Sequence, residues 1–133
     1  MLSLFPQVLF LSPLVGTLLR LTVGITILYI AYVHWQRKEE LGETGFPIIG
    51  RAGSAYIAVG AVIEAALALS LIAGYATQLV ALLALALSLK HFIFAKKYPR
   101  ATPLCRLDYF YLAVMSLCLF LMGAGAFAMD WPL

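Results

Sequence analysis

Four apolar stretches of about twenty residues, divided by short segments rich in charge, glycine or proline, leave this chain few ways to fold. The first, "PLVGTLLRLTVGITILYIAYVHW", runs from about Pro13 to Trp35, and the second from about Ala52 to Ala73. The third covers about Gln78 to Ala95 and the fourth about Tyr109 to Met129. Each approaches the ~20 residues a helix needs to cross a ~30 Å hydrocarbon core. None alternates with period two, and backbone groups in lipid must be satisfied internally, so the stretches read as helices. The chain has 133 residues, 64% of them hydrophobic and 11% charged, with a mean hydropathy of +1.00. That leaves too little polar surface for a domain in water, and the lipid bilayer is the expected solvent.

The connections set the topology. "QRKEELGETGFPIIGR" joins the first two stretches, "GYAT" the second and third, and "KKYPRATPLCRLD" the third and fourth. The expectation is an all-α integral membrane domain over residues 1–133, an antiparallel four-helix bundle without internal repeats. Arg37, Lys38 and Arg51 fall in the first connection, and Lys96, Lys97, Arg100 and Arg106 in the third. The N-terminus, "GYAT" and "MDWPL" contain no Lys or Arg. The positive-inside rule therefore puts both long loops in the cytoplasm and both termini outside the inner membrane. Trp35 and Trp131 fall at opposite ends, as interfacial anchors do. The N-terminal "MLSLFPQVLFLSPLVG" lacks the basic residues of a signal peptide. Leu2, Phe5, Val8 and Leu9 share a helical face there, and the segment reads as a short interfacial helix.

The net charge of +3 and pI near 9.0 come from loop residues that topology already explains. No basic face with interleaved aromatics is present, so nucleic acid is not an expected partner. Cys105 and Cys118 lie thirteen positions apart with no CxxC, which argues for two free thiols and against a dithiol or zinc site.

A charge at bilayer depth costs ~2.5 to 3.5 kcal/mol on insertion scales, so ionisable residues in the spans need partners or uses. These are Arg20, Glu64, Lys90 and His91, with His34 near an end. Arg20 follows Pro13 by seven residues, ~10 Å along a helix, and Glu64 precedes "GYAT" by ten, ~15 Å from the same face. The depths match within the reach of an arginine, and an Arg20–Glu64 pair is expected. Gly16, Arg20, Gly24, Ile27, Ala31 and His34 fall on one stripe of the first helix. Tyr56, Gly60, Glu64 and Ala68 repeat every four on the second, where the Tyr56 hydroxyl can serve the carboxylate. Whether the pair is a clamp that fixes register or a proton or ligand site stays open. Lys90 is expected to snorkel to the headgroups. His34 and His91 both approach the inner face and could share a site. Beyond Asp108, which suits a helix N-cap, no third ligand is in view, and no metal is expected. Met115, Met122 and the fourth-helix phenylalanines read as packing.

"LLRLTVGITILYIAYVHW", "AVGAVIEAALALSLIAGYATQLVALLALALSL" and "MGAGAFAMDWPL" together resemble the DoxX family of small four-helix membrane proteins. The family's arginine and following glycine match Arg20 and Gly24. Its second-helix glycines and glutamate match Gly60, Glu64 and Gly74, and its glycine-rich acidic close matches Gly123, Gly125 and Asp130. His34 stands where many relatives carry lysine, and "GAGAFAMD" lacks the basic residue often found in that close. The resemblance implies an inner-membrane subunit serving quinone-linked redox or sulfur chemistry, with quinone as the implied cofactor and a membrane redox subunit as partner. In an oxidoreductase it would be at most a non-catalytic or quinone-interacting subunit.

Rival readings meet specific obstacles. Small multidrug transporters carry their essential glutamate in the first helix, where this chain has Arg20. Vitamin K reductases and DsbB-like enzymes need paired reactive cysteines. A small proton-coupled transporter or a purely structural membrane subunit stays open.

Overall fold

The computed structural model describes residues 11–46, 50–51 and 53–123. Helix α1 spans Ser12–Gln36 and a short α2 spans Lys38–Gly42. Two-residue strands β1, Gly45–Phe46, and β2, Gly50–Arg51, pair antiparallel with Gly45 opposite Arg51. Then follow α3, Gly53–Ala73, α4, Thr77–Lys97, and α5, Arg106–Met122. The chain is predominantly α-helical, and three helices, Pro13–Gln36, Gly53–Ala73 and Thr77–Lys97, are long and apolar enough to cross a membrane. Their outward faces agree with that. Leu18, Val59 and Ile93, one on each, are 69%, 59% and 68% exposed, a surface that lipid tolerates and water does not.

Local chemistry sets the helix ends. Pro13 falls in the first turn of α1, where its missing N–H is not needed. The tight "GYAT" turn closes α3 by two bonds, Tyr75 N–H to Ser70 O at 2.9 Å and Gly74 N–H to Leu71 O at 3.1 Å. This pattern requires a left-handed residue, and Gly74 supplies it with φ +73°. At α5 the cap is Cys105, whose N–H donates to Asp108 Oδ2 at 3.1 Å. Asp108 therefore sits inside the first turn as the reciprocal half of a capping box, not at the N-cap that the sequence suggested.

Helix α1 packs along α3 and α4 along α5, while α1–α5 and α3–α4 contacts join the two pairs. The shared core includes Val23, Ile27, Ile30, Ala68, Leu71, Ala84, Tyr109 and Leu119. Gly24 lets α1 approach α3 closely: a Cβ there would lie 2.8 Å from Ile72 Cγ1 and 3.2 Å from Ala68 O. The α1 stripe is buried as expected from Gly16 to His34. On α3 the buried line is Ala61, Glu64, Ala68 and Leu71. Tyr56 is 55% exposed, and nothing lies within 4 Å of a Cβ at Gly60. At ~100° per residue, a strict four-residue repeat drifts ~40° per step, so two steps rotate Tyr56 off the face that holds Glu64.

The first connection holds more structure than its Gly and Pro content suggested, since α2 packs on α3 there. The expected interfacial N-terminal residues 2–9, the end of the expected fourth helix beyond 123, and Gly125, Asp130 and Trp131 lie outside the described residues.

Candidate functional site

The contact of Gly24 with Ala68 and Ile72 fixes the antiparallel register of α1 and α3. Each residue toward the end of α1 moves one residue toward the start of α3, so His34, ten residues on, comes level with about residues 58–62, and its ring reaches Glu64. His91 from α4 and Tyr109 from α5 complete a cluster to which each of the four longer helices contributes one side chain. All are buried, with His34 9%, Glu64 4%, His91 4% and Tyr109 0% exposed.

His34 Nδ1 lies 2.7 Å from Glu64 Oε2, and His34 Nε2 lies 3.1 Å from Ala101 O in the α4–α5 loop. A carbonyl only accepts, so Nε2–H is the donor to Ala101. One further proton then fits between Nδ1 and Oε2, as an imidazolium donating to a carboxylate or a carboxylic acid donating to a neutral ring. His91 Nδ1 lies 2.9 Å from Leu87 O and donates to it for the same reason. In the neutral ring, that leaves His91 Nε2 a lone pair, facing Glu64 Oε1 across 3.7 Å, whereas the imidazolium turns an N–H to it. Two lone pairs facing each other in an apolar interior repel unless positive charge sits between them.

The rings are held as well as bonded. His34 stacks on His91 with centroids 5.4 Å apart and planes at 18°, and His91 stacks on Tyr109 at 5.2 Å and 12°. The Tyr109 hydroxyl accepts from Leu104 N–H at 3.4 Å, which ties the stack to the same loop that receives His34. One ring nitrogen each from His34 and His91 and an oxygen of Glu64 lie within 4.8 Å of one another.

This arrangement corrects the expected Arg20–Glu64 pair. Among the described residues, the ion-pair partners of Glu64 are His34 and His91. Arg20 is buried on α1 at 2% exposure, but fourteen residues before His34, ~21 Å along the axis. The depth comparison assumed that the start of α1 is level with the end of α3 at the outer face. The Gly24 register instead carries the start of α1 well past the end of α3. Tyr56, expected to serve Glu64, faces outward, and Lys90 is exposed on α4, as a snorkelling lysine would be.

The third ligand that seemed missing beside His34 and His91 is Glu64, whereas Asp108 is occupied in the α5 cap. Tyr109 went unremarked in the sequence except as the start of a helix. The usable signal for the cluster was the position of His34 on the same buried stripe as Gly24. Elsewhere, Arg37 Nη2 and Glu40 Oε1 pair at 2.9 Å, and the arginine holds the Glu40 carboxyl below its ordinary range. That pair is solvated and contributes little. Cys105 and Cys118 are free thiols.

Comparisons with protein-family models, with curated proteins and with solved structures found no match to this chain.

Proposed function

We propose that this chain is a DoxX-type inner-membrane protein, a four-helix bundle of α1, α3, α4 and α5 with both termini outside, serving a quinone-linked redox complex. The His34–Glu64–His91 cluster is its working centre, a place where positive charge is held inside the bilayer. The observation that carries the reading is the convergence of His34 Nδ1 and His91 Nε2 on one buried carboxylate, 2.7 Å from Oε2 and 3.7 Å from Oε1. A clamp built only to fix register would be satisfied by the His34–Glu64 bond alone and would have no use for a second imidazole turned toward the same carboxylate.

A second feature supports the quinone-linked form of this reading. Leu28, Ala31, Tyr32 and Trp35 of α1 and Ala61 and Ala65 of α3 line an apolar groove of about 270 Å³ at the level of His34 and Glu64. An isoprenoid quinone is an apolar ligand whose reduction consumes protons, and its electrons would come from the redox partner subunit. The groove offers apolar walls beside a proton-holding pair.

The test is purification of the full chain from its native membrane in mild detergent, followed by analysis of bound quinone and co-purifying subunits. Quinone near one per chain, or a stable redox subunit, with either lost on Glu64→Gln, is the expected result. A wild-type chain that carries neither removes the quinone-linked role.

A further inference from the structure

We infer that His34, Glu64 and His91 bind one divalent first-row transition-metal ion, using His34 Nδ1, His91 Nε2 and the Glu64 carboxylate. The inference rests on reading the cluster as a working centre and names the positive charge it holds.

The first support is the orientation of the distal ring nitrogens. Histidines that ligate metals nearly always give their other N–H to a carbonyl or carboxylate, which fixes the tautomer and aims the free lone pair. Both histidines do this here, His34 through Nε2 to Ala101 O at 3.1 Å and His91 through Nδ1 to Leu87 O at 2.9 Å. The nitrogens left over are the two that converge on Glu64. An ordinary buried histidine needs only one such anchor, and nothing in packing requires two rings to turn their free nitrogens to one carboxylate.

The second support is spacing. A tetrahedral ion with bonds of ~2.0 to 2.1 Å holds its ligand atoms ~3.3 Å apart. His34 Nδ1 lies 2.7 Å from Glu64 Oε2 and His91 Nε2 3.7 Å from Oε1, and one ligand atom from each of the three residues falls within 4.8 Å of the others. Side-chain rotations that move these atoms by on the order of 1 Å would seat the ion. The His34–His91–Tyr109 stack holds the rings in place beforehand, so little order is lost on binding.

The third support is charge. Once the proton between His34 and Glu64 leaves, a carboxylate with two neutral imidazoles carries a buried net charge of about −1 in apolar surroundings, which is costly alone. A divalent ion takes the place of that proton, reverses the sign and partners both inward imidazole nitrogens.

The donor set narrows the ion. Two imidazoles and one carboxylate suit Zn²⁺, Fe²⁺, Co²⁺ or Ni²⁺, whereas Mg²⁺ and Ca²⁺ want oxygen alone and Cu⁺ wants sulfur. Cys105 and Cys118 are not among the converging ligand atoms. Three protein ligands leave at least one coordination position open, the arrangement of working sites and not of closed structural ones. The anchoring carbonyl of Ala101 belongs to the α4–α5 loop, so the ion reaches its ligands from the loop end of the bundle.

The test uses the full chain in detergent with any affinity tag removed, stripped with chelator and titrated with Co²⁺. Visible d–d absorption and elemental analysis after desalting report the binding. The expected result is saturation near one Co²⁺ per chain, displaced by Zn²⁺ and indifferent to excess Mg²⁺. His34→Ala, His91→Ala and Glu64→Gln should each weaken binding by more than the ~10- to 100-fold that loss of an outer-shell partner costs. Gel filtration and thermal unfolding of each variant identify any that fail to fold. If all fail, the wild-type stoichiometry decides, and less than about a tenth of an ion per chain overturns the inference, as does binding that survives all three changes. Quinone content of the same preparation separates the two readings. Quinone without metal sinks the metal site alone, and metal without quinone or partner keeps the site and removes the quinone-linked role.

Discussion

His34 Nδ1 and Glu64 Oε2 meet at 2.7 Å although their helices arrive from opposite ends and thirty residues separate them in the chain. Their side chains are 11% and 5% exposed, so the pair lies in a medium where an uncompensated charge is expensive.

Breaking that pair should be costly and its cost should be coupled. Glu64→Leu or His34→Leu alone should lower stability by ~3 to 5 kcal/mol, the usual range for a buried pair that loses one partner. The double change His34→Leu with Glu64→Leu should recover a large part. Arg20→Leu with Glu64→Leu should instead be additive within ~0.5 kcal/mol, as expected for sites farther apart than 7 to 10 Å. Thermal unfolding in detergent across both double-mutant cycles measures this, and coupling confined to the Arg20 cycle would reverse the assignment of partners.

Glycine replacements should separate by position. At Gly42 a Cβ would fall 2.6 Å from Ser54 N and 2.7 Å from Gly53 C, both backbone atoms that cannot swing away. Gly42→Ala should cost ~1 to 3 kcal/mol, as overpacking does. Gly24→Ala should also destabilise, since the carbonyl of Ala68 stands behind the movable Ile72. Gly60→Ala meets nothing within 4 Å and should stabilise α3 by up to ~1 kcal/mol through helix propensity. Equal melting temperatures for the Gly42 and Gly60 variants would contradict the close approach of α2 to α3.

The α5 cap should depend on Asp108 more than on sulfur. Asp108→Ala removes the acceptor for Cys105 N–H and should cost ~1 kcal/mol. Cys105→Ser should be neutral or slightly stabilising, because serine is the better N-cap. Because both thiols are free and Cys105 is exposed, a maleimide should label Cys105 before Cys118. Destabilisation by Cys105→Ser comparable to Asp108→Ala would show that the thiol does more than cap.

Topology rests on seven basic loop residues against none opposite. A reporter active only outside the cytoplasm should work when fused after Leu133 and fail when inserted near Glu43. The opposite pattern would put the His34–Glu64–His91 cluster at the outer end of the bundle.

The amino-acid sequence alone determined that the chain is helical, where three of its apolar spans begin and end to within two residues, and which stripe of α1 is buried. Those features follow from local causes: apolar run length, Gly and Pro at the ends, and a 3.6-residue period that any single helix must obey. It also isolated Glu64 as the carboxylate that needed a partner. It did not determine which partner. That choice depends on how far α1 slides along α3, and equally apolar helices offer no pattern that fixes the slide. The close contact at Gly24 fixes it, by letting backbone meet backbone at Ala68 and Ile72. With that register Glu64 falls beside His34 and not Arg20, and the packing of α4 and α5 then brings in His91 and Tyr109. A three-residue ligand set spread over α1, α3 and α4 exists only once those helices are packed, because its spacing is a distance between helices and not along one.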